Sequence, residues 1–306
     1  MPVVSIRHLT VYRYRNPVAF GEHRVMYRPM EAFDQRLMSA ELDITPEPAL
    51  LRHVQDVSGA AVGVARFERR SDRLVFESRA TVAHAPHTPF ELESDRCSIG
   101  PEPFAYHADE QHDLARSIAR RHADAGETAA WARRFVRPLG RTRLSTLLSD
   151  MTQAIRGEFK YGLRLEGAPQ SPVETLGAGR GSCRDFAVLM IEAARSLGLA
   201  AQFVSGYVYS GSAKTGRAGG GHTHAWARIY LPDCGWADFD PTNGIVGSAD
   251  LIRVACVTDP RLAIPLHGTW EGLGSDFLGM DVEVDVRIEA DALAQPTSPL
   301  RVRQGT

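Results

Sequence analysis

GRGSCRDFAVLMIEAARSLGLAAQFVSGYVY, residues 179–209, decides the fold. Its glycines interrupt whatever structure precedes them. From Cys183 to Leu197 the residues Phe186, Leu189, Met190, Ala193, Ala194 and Leu197 recur at helical spacing, with Ser182 as N-cap and Gly198 as stop. AQFVSGYVYS (201–210) then reads as a strand. A cysteine at the start of such a helix sits among unpaired backbone N–H groups and at the positive end of the helix dipole. Both favour a thiolate, the nucleophilic form of sulfur. On these residues alone, Cys183 reads equally well as a small core residue.

Working toward the C-terminus, THAWARIYL (223–231) and GWADFD (235–240) read as strands joined by the short turn LPDCG. His224 on the first strand is fixed by its backbone and able to reach a cleft. Trp226 and Arg228 share its face, and Trp226 is placed to cover the imidazole. If the strands pair as a hairpin, Asp240 returns toward His224. A base that takes a proton from sulfur needs its far nitrogen oriented and its cation stabilised, and a carboxylate does both. Asp238 has the same strand parity and competes for that role. The backbone N–H of Cys183 is a natural donor to an oxyanion. A metal reading uses His222 and His224 with Cys183 or Asp240, but it lacks a closely spaced third ligand. His222 reads better as a cleft-edge or solvent residue. GSAKTGRAGGG (211–221), with five glycines, reads as a mobile surface loop.

Toward the N-terminus, helices are expected over 108–124 and 127–138. A third runs from Thr142 to Tyr161, with Leu144, Leu147, Leu148, Met151, Ile155 and Phe159 as its apolar stripe. The first hundred residues form short antiparallel strands without helical crossovers. HLTVYRY (8–14) alternates Leu9, Val11 and Arg13 against His8, Thr10 and Tyr12. VMYRP, SAELDITP, AAVGVARFE and DRLVFESRATVAH follow. DVEVDVRIEA (281–290) is a further strand. His84, His87, His107 and His112 read as surface or turn residues.

The 306 residues are 43% hydrophobic and 24% charged with net charge -2, which suits a globular chain with a sizeable core. That balance argues for neither a nucleic-acid partner nor an anionic membrane surface. No apolar run is long enough to span a bilayer. Cys97, Cys183, Cys234 and Cys256 lie too far apart for a close metal-ligand pair and are too few for a disulfide scaffold, so a cytoplasmic location is expected.

At these residues the chain resembles the transglutaminase-like superfamily, in particular bacterial members with an added N-terminal β region. The matching segments are residues 179–209, HAWARIYLPDCGWADFDPTNG (224–244) and FKYGLRLEGAPQSPVETLGAGRG (159–181). YRYRNPV, HRVMYRP and LDITPEP resemble the added region. The resemblance implies an α+β, papain-like core, in which a helix bearing cysteine packs on an antiparallel sheet bearing histidine and aspartate. It implies Cys183 as nucleophile, His224 as base and Asp240, in preference to Asp238, as orienter. ACVTDPRLAIPLHGTWEG (255–272) departs from the family pattern and bears on cleft shape. The calcium dependence of the animal enzymes does not carry over, and no cofactor or metal is expected.

The expected organisation is a β-rich region over 1–100, a catalytic domain over 101–295 and a frayed tail over 296–306. The expected chemistry is cleavage of a peptide or side-chain amide through a thioester on Cys183. Water resolves that thioester in a hydrolase, and an amine acceptor does so in a transglutaminase. A non-catalytic protein-binding module on the same fold is the third reading. The implied partner is a protein or peptide substrate.

Overall fold

In a computed structural model, residues 1–88, 96–164, 167–209 and 222–289 are described. The expected glycine-rich loop and frayed tail lie outside them.

The chain begins with β1 (Val3–Val25), β2 (Gln35–Thr45), β3 (Leu50–Gln55), β4 (Ala61–Arg66), β5 (Ser71–His84) and β6 (Ser98–Ile99). Next come α1 (Ala108–Ile118), α2 (Glu127–Arg133), β7 (Thr142–Arg143), α3 (Leu144–Glu158), β8 (Lys160–Tyr161), α4 (Pro172–Ala178) and β9 (Arg180–Gly181). The remainder is α5 (Cys183–Ser196), β10 (Ala201–Val208), β11 (His224–Leu231), β12 (Gly235–Asp240), β13 (Ile245–Val246), β14 (Leu251–Val257), β15 (Leu266–Glu271) and β16 (Phe277–Glu289). The architecture is α+β, as expected.

Two sheets organise the molecule. One is five-stranded and antiparallel, in the order β13-β12-β11-β10-β14. The helix α5 packs on β10 and β11. Its residues are buried almost all round, because α2, α3 and α4 cover the side away from the sheet. Each large apolar side chain buried there contributes about 1.5–3 kcal/mol. The other sheet is built on β1, which pairs with β5 and β16 along its first half and with β4 and β15 near its end. The strand expected near 281–290 is β16, so the described chain closes on the sheet with which it began.

The two sheets meet through polar contacts. Arg253 on β14 pairs with Asp34 and Asp238, and its backbone exchanges hydrogen bonds with the Gln35 side chain. His84, expected at the surface, is fully buried here, its Nδ1 lying 2.9 Å from the Tyr209 hydroxyl. His107 and His112 are exposed.

Candidate active site

Cys183 is the first residue of α5. Ser182 caps the helix in a reciprocal capping box with Asp185, whose Oδ2 accepts from the Ser182 N–H at 2.7 Å and its hydroxyl at 2.8 Å. The other Asp185 oxygen accepts from Arg164 at 2.5 Å and from the Gln170 N–H at 2.7 Å. This buried carboxylate therefore ties the loop before α4 to the start of the cysteine helix. Gly181 is required by close approach, since a Cβ there would stand 2.9 Å from that of Asp185. Among the described residues the Cys183 N–H makes no hydrogen bond within the protein, which leaves it available as a donor.

His224 opens β11, and the antiparallel pairing of β11 with β12 brings Asp240 back beside it. His224 Nε2 donates to Asp240 Oδ2 at 2.8 Å, with both side chains fully buried. The carboxylate also accepts from Asn243 Nδ2 at 2.7 Å, Thr242 N at 2.9 Å and Asn243 N at 3.3 Å. The turn after Asp-Pro thus turns its donors back onto the aspartate. Burial works against a charged imidazole, but the Asp240 charge and hydrogen bond, helped by the nearby Cys183 thiol, raise its pKa to about 10. Burial likewise works against the Asp240 carboxylate, and His224 and Asn243 outweigh it to hold its pKa below the ordinary value. Among the described residues His224 Nδ1 is left unpaired by the hydrogen bonds of the imidazole, and the Cys183 thiol lies close enough to act on the ring. It is the nitrogen free to exchange a proton with sulfur.

The other expected residues separate from this group. Asp238 accepts from Trp226 Nε1 at 2.9 Å and from Arg253 at 2.7 Å. It is engaged with Trp226 on β11 and Arg253 on β14 of its own sheet, not with His224. Trp226 is fully buried beside the imidazole, with ring centroids 6.0 Å apart and planes at 27°. The space for it comes from Gly206 opposite His224, where a Cβ would meet the indole at 2.6 Å. His222 lines the cleft. Among the described residues no three His, Cys, Asp or Glu side chains are grouped to hold a metal ion.

Cys183 and His224 open onto a cavity of about 450 Å3. His8, Thr10, Tyr12 and Tyr27 from the N-terminal region form one wall of it. Pro260, Arg261 and residues 263–266, within the stretch that departs from the family pattern, form another. Tyr161 was not singled out in the sequence. The two-residue parallel pairing of β8 with β9 sets it opposite Gly181, next to the cysteine helix. Its hydroxyl is buried without a partner among the described residues. Burial pushes its pKa up to about 12, with the Cys183 and Asp240 charges adding to the rise.

Residues 112–241 match the transglutaminase-like superfamily, and residues 4–83 match the bacterial transglutaminase-like N-terminal region. The chain belongs to the transglutaminase-like superfamily. Uncharacterised protein Rv2569c of Mycobacterium tuberculosis is 29% identical over 300 residues, which is 94% of each chain. Uncharacterised protein ML0607 of Mycobacterium leprae is 32% identical over 130 residues, covering 42% of this chain and 46% of that one. In fold, the chain is similar to a candidate cysteine protease from Cytophaga hutchinsonii, with a TM-score of 0.69 and 18% identity over 98% of this chain and 94% of that one. The fold resembles that of cysteine-protease-like and transglutaminase-like enzymes.

The cytoplasmic expectation does not stand, because free cysteines do not report a compartment. The physical error lay in reading a compartment from four unpaired cysteines. A chain that buries a core of this size needs no disulfides in any compartment. No helix among the described residues is long and apolar enough to cross a membrane.

Proposed function

We propose that the protein is a cysteine-dependent amide hydrolase acting on a protein or peptide through a thioester on Cys183. The observation that carries this reading is the His224 imidazole, bonded through Nε2 to buried Asp240 and with its free Nδ1 beside the Cys183 thiol. In the proposed sequence the Cys183 thiolate attacks the amide carbonyl carbon and a C–S bond forms. The Cys183 N–H and the orphaned Tyr161 hydroxyl stabilise the oxyanion. The imidazolium gives its proton to the departing nitrogen, the C–N bond breaks, and ammonia or an amine leaves. Neutral His224 then takes a proton from water. The resulting hydroxide attacks the thioester carbonyl and the C–S bond breaks, giving the carboxylic acid and restoring the Cys183 thiolate beside the His224 imidazolium.

Hydrolysis as the resolving step is in keeping with the Cytophaga hutchinsonii neighbour, solved as a candidate cysteine protease. The test is incubation with glutamine-containing peptides, with and without a primary amine such as putrescine, followed by mass spectrometry of the products. Acid products that form regardless of putrescine, and vanish in Cys183→Ala, support the reading. Putrescine adducts as the main product would make the protein a transglutaminase. Folded protein inert toward every amide, with an unreactive Cys183, would leave the binding module.

A further inference from the structure

Along β1 the residues on the buried side of the strand are Val4, Ile6, His8 and Thr10. The first two are ordinary core residues. The pattern turns polar where the strand reaches the cleft, and both His8 and Thr10 are 1% exposed. A buried polar pair costs stability unless its hydrogen bonds are made, and here all but one of the ring and hydroxyl positions are engaged. Thr10 Oγ1 lies 2.8 Å from the Tyr27 hydroxyl. His8 stacks on the Tyr27 ring with centroids 3.7 Å apart. Its Nδ1 lies 3.0 Å from the hydroxyl of Tyr207 on β10.

These contacts fix the tautomer. The Tyr207 hydroxyl has one proton, and donates it to the Tyr27 carbonyl at 3.1 Å. It therefore accepts from His8, so Nδ1 carries the imidazole proton and Nε2 presents a lone pair. Burial, reinforced by the charge of His222, pushes the His8 pKa down to about 3, so the ring stays neutral. Nε2 has no partner among the described residues. His8 lines the same cavity as Cys183 and His224, and Val282 and Met280 of β16, paired with Thr10 and Tyr12 farther along β1, give that wall an apolar floor.

We propose that His8 is a substrate-binding residue, accepting at Nε2 a hydrogen bond from the backbone N–H of an apolar peptide segment held across the cleft from Cys183. This rests on the amide-hydrolase reading and narrows its substrate to one that presents a backbone N–H beside the reacting amide, a peptide. The N-terminal β region thereby supplies part of the binding site as well as a wall.

Two alkylating probes test it on the full chain: N-benzyl-2-chloroacetamide, which has an N–H, and its N-methyl analogue, which has none. Rates at Cys183 are divided by those for free cysteine. The tertiary amide reports thiol reactivity alone, and the ratio of the two reports recognition of the N–H. The wild type is expected to favour the N–H probe by about three- to tenfold, the size of one neutral hydrogen bond. The preference should vanish in His8→Leu while the N-methyl rate is unchanged. A preference that survives His8→Leu, or an equal fall in both rates, overturns the proposal. In parallel, 15N-histidine NMR of Cys183→Ser should show His8 protonated at Nδ1. Its Nε2 signal should move on adding N-benzylacetamide and stay put with the N-methyl compound. This arm does not involve the thiol. An inert Cys183 therefore counts against the hydrolase reading alone, whereas an unmoved Nε2 or the opposite tautomer counts against His8.

Discussion

Replacing Asp240 with asparagine isolates the role of one carboxylate in setting the state of His224. Asp240 Oδ1 accepts from two backbone N–H groups, at 2.9 and 3.3 Å, and Oδ2 accepts from His224 and Asn243 side chains at 2.8 and 2.7 Å. The asparagine carbonyl satisfies the backbone donors, so its amide nitrogen falls on the His224 side. That nitrogen donates, which forces Nε2 to accept and moves the neutral ring's proton to Nδ1, the nitrogen facing sulfur. The loss of charge compounds this. Burial lowers the His224 pKa, and without Asp240 only the Cys183 thiol remains to oppose it, so the value falls from about 10 and less of the imidazole is protonated near neutral pH. Alkylation of Cys183 by iodoacetamide should slow about tenfold or more near pH 6.5, and approach the wild-type rate near pH 9. Turnover, once a substrate is in hand, should fall by up to about 10^4, as for other carboxylates that orient a catalytic histidine. Circular dichroism checks that the fold is retained. Superimposable pH–rate profiles for a folded Asp240→Asn protein would refute the reasoning, because they would mean that His224 does not depend on this carboxylate.

Removing the Tyr161 hydroxyl should separate activity from stability. Tyr161→Phe deletes a buried group that has no partner among the described residues, so denaturant unfolding should show unchanged or higher stability, by about 1 kcal/mol. The same change should lower kcat about 10^2-fold with little change in KM; a neutral kcat would remove Tyr161 from the oxyanion site. For pH dependence, the raised His224 pKa means that the charged imidazole stabilises the fold fully below about pH 6.5, and that this contribution fades as pH rises through about 10. Thermal unfolding between pH 7 and 10 should therefore show Tm of the wild type falling more steeply than that of His224→Ala, and parallel slopes would contradict the assignment. Asp240 acts in the opposite direction, since its depressed pKa lends stability above the ordinary carboxylate value that is lost on acidification.

Local pattern carried the reading of the cysteine helix. Helical spacing from Phe186 to Leu197, the Ser182 cap and the Gly198 stop all find their counterparts in α5. The strands bearing His224 and Asp240 were legible for the same reason, because short runs between turn signals report their own conformation. Parity could not choose between Asp238 and Asp240. Their difference lies in partners distant in sequence, with Arg253 on one side and the 240–243 turn on the other. Tyr161 was missed because a two-residue parallel pairing leaves no periodic trace. α4 (Pro172–Ala178) is a single short helix and escaped for the same reason. His8 was seen to alternate with Leu9, but alternation does not say which face meets the cleft. That is decided by Tyr207, 199 residues away. His84 was taken for a surface residue because its partner, Tyr209, is equally remote in sequence.

The central claim is that Cys183 is an activated nucleophile and His224 is what activates it. The most direct measurement is site-resolved labelling by iodoacetamide from pH 5 to 9, with peptide mapping of all four cysteines, in wild type and in His224→Ala. Cys183 is expected to react selectively and to keep much of its pH 9 rate at pH 6, and His224→Ala should abolish the low-pH reactivity. If Cys183 reacts no faster than Cys97, Cys234 or Cys256, and its profile is unchanged without His224, the account is contradicted.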